Sequence, residues 1–70
     1  MAEICAHITG TVWKIEVKLG AKVEPGDVIA ILESMKMEMP VETEVGGTVT
    51  EIKVVEGQSI AEGAIIAVVE

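Results

Sequence analysis

Arginine, phenylalanine and tyrosine are missing from this 70-residue chain, and cysteine, histidine and tryptophan occur once each. A single aromatic ring offers no stacking platform for bases. Five lysines against twelve acids set a net charge of −7, which repels phosphate backbones and anionic lipid. Neither nucleic acid nor a membrane surface is an expected partner. Lone Cys5 cannot staple the domain to itself, and lone His7 admits no set of serine, histidine and acid beyond a guess. Cys5 and His7 together are two potential ligands, short of a zinc site, so no metal is expected. Long apolar runs are missing too: Val28 to Leu32 and Ala64 to Val69 fall far below the ~20 residues of a membrane-spanning helix. The Met-Ala-Glu opening has an acid where a signal peptide has a basic stretch. With one cysteine and no such leader, the expected compartment is the cytoplasm.

What the chain has in abundance is β-branched aliphatic side chains, 11 Val and 9 Ile against 2 Leu. Such residues suit a pleated, half-buried surface and disfavour helix, so the core is expected to be strands. One domain spanning 1–70 is expected, near the size at which only roughly 60% of the unfolded surface is buried. Glycines at 10, 20, 26, 46, 47, 57 and 63 cut the chain into strand-length pieces, the spacing of an all-β sandwich or barrel. Ile4, Ala6 and Ile8 alternate with Cys5 and His7, and Trp13, Ile15 and Val17 alternate with Lys14, Glu16 and Lys18. Both read as half-buried strands, with Trp13 expected in the core. Val12 and Val49 break the alternation, which predicts a bulge or a change of sheet there. Val28 to Leu32 and Ile65 to Val69 read as strands covered on both faces, and Glu24-Pro25-Gly26-Asp27 as a turn.

The chain is written twice. Residues 1–33 align with 38–70 at a constant shift of 37, Met1 falling on Glu38, with no gap. From Gly10 to Glu33 against Gly47 to Glu70, ten of 24 positions are identical, among them Gly10/Gly47, Thr11/Thr48, Val12/Val49, Ile29/Ile66 and Glu33/Glu70. Two gapless copies predict two equivalent halves about a pseudo-twofold axis, each too small to bury its own apolar face. They are expected to interlock. No Pro-Ala stretch, charge run or low-complexity segment interrupts the chain, so association with partners is expected to be non-covalent.

Only Ser34-Met35-Lys36-Met37 lies between the copies. Tight hairpin turns favour Asn-Gly, Asp-Gly or another glycine pair, because the twist-matched turns need positive φ. This seam has no glycine, and a local departure from turn chemistry marks a candidate functional site. Lys36 falls at its tip, and Pro40 marks the following strand as an edge. Three of the four methionines, Met35, Met37 and Met39, crowd this lysine at alternate positions. By alternation alone they read equally as one core-facing stripe.

The run Glu33-Ser34-Met35-Lys36-Met37-Glu38-Met39-Pro40 resembles the attachment segment of biotinyl domains, the biotin carboxyl carrier family. The likeness extends over the whole chain, through Gly-Thr-Val at 10 and 47, Val23 to Asp27 and Ile60 to Gly63. It is closest to the stand-alone, single-domain biotin/lipoyl attachment proteins. The resemblance implies an all-β, flattened barrel-sandwich, or hammerhead, of two four-stranded antiparallel sheets, with the modified lysine on an exposed hairpin turn. It assigns Lys36 to covalent biotin, with Met35 and Met37 as flanking recognition residues. Two departures stand out. His7-Ile8-Thr9 replaces the proline that many members have before the first glycine, and no segment provides the thumb-like insertion of some carriers.

The resemblance further implies a carrier and not an enzyme. A lysine at neutral pH is an ammonium ion and no nucleophile in that form. Glu33 and Glu38 would hold that form, so a separate biotin protein ligase is implied. A biotin carboxylase and a carboxyltransferase then load and unload the tethered cofactor, within a biotin-dependent carboxylase such as acetyl-CoA carboxylase. Met35 and Met37 would cover the biotin ring or adapt to successive partners, or pack on the barrel. A lipoyl carrier of the same fold is the first alternative, although lipoyl domains usually place an acid and a small residue beside the lysine. An unmodified structural barrel is the second, and it leaves the solitary Lys36 without a purpose.

Overall fold

In a computed structural model describing Met1–Glu70, eight strands form: β1 (Ala2–Cys5), β2 (Gly10–Ile15), β3 (Lys22–Val23), β4 (Val28–Ser34), β5 (Met37–Glu42), β6 (Gly47–Ile52), β7 (Ser59–Ile60) and β8 (Ile65–Val69). They make two four-stranded antiparallel sheets, ordered β1-β8-β6-β3 and β5-β4-β2-β7. Exchanging each strand for its counterpart in the other copy (β1 with β5, β2 with β6, β3 with β7, β4 with β8) turns the first order into the second. Each sheet therefore takes two strands from each copy. That is the interlock: neither copy contains a complete sheet.

Hydrogen bonds between the copies obey the same symmetry. Val12 N–H donates to the Gln58 carbonyl as Val49 N–H does to that of Ala21, at 2.8 and 2.9 Å. Ala6 N–H donates to Ala64 as Thr43 N–H does to Asp27, at 2.8 and 3.0 Å. Gly10 and Gly47 are required for the same reason in each half. A Cβ built on Gly10 would stand 2.5 Å from the carbonyl oxygen of Glu33, and one on Gly47 would meet that of Glu70. No side chain fits where the strands come this close.

Ile29, Ala30 and Leu32 of β4 and Ile66 to Val69 of β8 are buried, and both strands are interior to their sheets; β8 is covered on both faces as expected, whereas Val28 and Ile31 leave the outer face of β4 half-buried. Ile29 and Ile66 are extra residues at bulges, fully enclosed, in the pairing of β4 with β5 and of β8 with β1. Val12, Val23, Val41, Val49 and Ile60 complete an aliphatic core. Thr43 is its one buried polar member, and its hydroxyl donates to the Val45 carbonyl at 2.7 Å and accepts from the Val45 N–H.

The core placement of Trp13 is corrected. Val12 pairs with Leu32 and Lys14 with Ile31, so Trp13 is the extra residue of a bulge, 43% exposed. Its counterpart Thr50 occupies the equivalent bulge between Val49 and Glu51 and is exposed as well. The predicted break at Val12 and Val49 is this bulge, and it turns the next side chain out of the inward phase.

Candidate functional site

The seam between the copies is the turn of the β4–β5 hairpin. Pairing runs from Val28 with Glu42 up to Ser34 with Met37, leaving only Met35 and Lys36 outside the ladder. A two-residue loop that matches strand twist needs positive φ at both positions. Met35 has φ +53° and Lys36 +65°, whereas every other positive-φ residue in the chain is glycine. For residues with a Cβ this conformation costs roughly 1–2 kcal/mol each. A rigid seven-residue strand and a six-residue strand hold the turn in it. Strain is thus retained where the chain presents its singular lysine.

Met35 is 92% exposed and Met37, the first residue of β5, 57%. Lys36 is exposed between them, and Met39 is half-buried. A core-facing methionine stripe is therefore excluded at the tip; packing takes hold only at Met39. No ion pair or side-chain hydrogen bond restrains the Lys36 amine, since the one salt bridge joins Lys53 to Glu51. Glu33 and Glu38 face each other across the hairpin, both exposed, without reaching it. Pro40 lies on β5, an edge strand as its ring requires.

The site is a projection and not a cleft. Shallow grooves of about 510 and 480 Å³ lie elsewhere, and none of Met35, Lys36 and Met37 lines either. Cys5 and His7 border the larger one, and no group of three or more His, Cys, Asp or Glu is placed to hold a metal. A free amine on a strained, solvent-facing turn suits covalent attachment of a cofactor. Nothing beside it would act as a base.

A family described as biotin-requiring enzyme matches residues 1–69. The chain belongs to this biotin/lipoyl attachment family. The biotin/lipoyl attachment protein of Bacillus subtilis is 43% identical over 44 residues, 63% of this chain and 60% of that protein. Biotinylated protein TB7.3 of Mycobacterium tuberculosis is 48% identical over 42 residues, 59% of this chain and of that protein. The aligned stretch thus spans about 60% of these relatives' own length. A domain of Kluyveromyces lactis urea carboxylase superposes with a TM-score of 0.93 over 99% of this chain, at 33% identity, although it is 6% of that much larger protein. Domains of this family are carriers, and biotin is the cofactor that membership brings.

Sequence reasoning missed one exposed feature, the Trp13 surface. The signal was present in the repeat: a position occupied by Thr50 in one copy is a surface position in both.

Proposed function

We propose that Lys36 accepts biotin as an amide and that the domain carries a carboxyl group between a biotin carboxylase and a carboxyltransferase. The observation that carries this reading is the exposed, unpaired Lys36 in a glycine-free primed turn between two exposed methionines. When bound, biotin supplies the chemistry of carboxyl transfer. The chain's own contribution is presentation: the ladder of β4 and β5 fixes the turn, and the turn aims the amine at solvent. A separate ligase removes the proton, because no group of this chain contacts the amine. An amide bond to Nζ then forms as the bond between biotin's carboxyl carbon and AMP breaks, and the net charge passes from −7 to −8. Tethering replaces repeated capture from solution by a high local concentration at each partner site.

The test is coexpression with a biotin protein ligase, followed by intact mass and peptide mapping. One biotinyl group at Lys36 and none at Lys14, Lys18, Lys22 or Lys53 is expected, and Lys36→Arg should abolish it while leaving the circular dichroism unchanged. Lipoate at Lys36, or label elsewhere, would refute the assignment.

A further inference from the structure

The two sheets are related by the repeat, yet their outer faces differ, and the difference falls on the sheet that bears Lys36. Directly opposed residues of an antiparallel ladder share a face. On the second sheet one outward row is Lys14, Ile31 and Pro40, with bulged Trp13 beside it, its ring 5.9 Å below the Lys14 ammonium. Trp13 and Pro40 are exposed and Ile31 is half-buried, so an apolar strip crosses three strands. The counterpart row on the first sheet is Glu51, Val68 and Glu3, with bulged Thr50. There the apolar member, Val68, is only 3% exposed, and Lys53 pairs with Glu51 on a polar surface. One sheet finishes this face for water; the other leaves it apolar.

Charge decides what covers the strip. The next row toward the hairpin tip is Thr11, Glu33 and Glu38, and Glu42 follows Pro40 on the same side of β5. A second copy would bring the same acids against these, and an anionic membrane would meet the same repulsion. The complement is a protein surface with an apolar pocket rimmed by Lys or Arg. We infer that the Trp13–Ile31–Pro40 face is the docking surface for the enzyme that modifies Lys36, held there by such a pocket while the turn enters its active site. This rests on the reading of Lys36 as the acceptor. Trp anchors commonly dominate such interfaces, with charges at the rim setting encounter and register.

The experiment gives the outer face of one sheet the residues of the other: Trp13→Thr with Pro40→Glu, measured as the folded domain against a biotin protein ligase at saturating ATP and biotin. KM for the domain should rise by about tenfold or more, the loss expected of a central aromatic anchor. The value of kcat should stay within about twofold, because the turn itself is untouched. Leu19→Ser and Val55→Thr, which remove exposed apolar side chains elsewhere, should leave both constants unchanged. Pro40→Glu alone serves if the double variant fails to fold. An unchanged KM in a folded variant overturns the docking face, and a KM for the wild type that does not rise with salt overturns the basic rim. A wild-type dimer in sedimentation that the same substitutions dissociate would assign the strip to self-association instead. Absence of label on wild-type Lys36 would sink the acceptor reading first, and the docking face with it.

Discussion

Lys36 differs from the other four lysines in its backbone as well as its neighbours, since it alone has left-handed φ. Position is therefore expected to matter more than chemistry. Exchanging Met35 and Lys36 preserves composition and charge and moves the amine by one Cα step of ~3.8 Å. Displacement on that scale destroys near-attack geometry, and the modification rate should fall by ~100-fold or more, read by mass spectrometry at fixed ligase concentration. Lys53 gives a contrasting case. A hydrogen bond to the Glu51 carboxylate, then its charge, holds the Lys53 ammonium above the ordinary lysine range. A raised folded-state value stabilises fully below the unfolded value and is lost as pH climbs through the folded one. Neutral-pH stability thus contains this contribution, and the alkaline limb loses it. Glu51→Gln should move the Lys53 titration down toward the ordinary range, Glu3 still favouring the ammonium form, as read by NMR; an unmoved titration would contradict the pairing.

At the level of the hairpin, strain and function oppose each other. Met35 occupies a conformation that glycine adopts without a Cβ penalty. Met35→Gly should stabilise the domain by ~1 kcal/mol, a rise of roughly 4–8 °C in Tm for a domain of this size. It should also slow modification of Lys36, because it removes an exposed thioether and loosens the turn. A variant that was more stable and modified just as fast would show that the strained methionine serves nothing. The bulges are the other element-scale device. They enclose Ile29 and Ile66 while turning Trp13 and Thr50 outward, so one extra residue per ladder both fills the core and writes the surface.

For the whole molecule, exchange of strands between copies is what makes the domain one unit. Residues 1–33 contain β1 and β3 of one sheet and β2 and most of β4 of the other, and no complete sheet. A fragment ending at Glu33 should show the collapsed amide dispersion of an unfolded chain, and dispersed signals would contradict the interlock. The intact domain should unfold in one transition, with Trp13 fluorescence and backbone circular dichroism giving the same urea midpoint. Two midpoints would mean that the copies are separable.

Much of this was legible in the chain before folding was considered. The constant shift of 37 carried the symmetry, because equivalent sequences make equivalent strands. The Val and Ile excess carried the strands, and the glycine-free Ser34-Met35-Lys36-Met37 carried the candidate site, because a hairpin turn without glycine breaks a steric rule. Pro40 even marked the edge strand. What folding had to supply was direction. Alternation of side chains predicts faces only while the ladder is regular, and one bulge moved Trp13 from the expected core to the surface. Alternation likewise left Met35 and Met37 as core or tip, and their exposure followed from a two-residue turn standing clear of any packing partner. The partnership of strands from opposite copies, and with it the unequal outer faces of two near-equal sheets, arises from contacts between residues far apart in the chain. Local pattern carries no term for those.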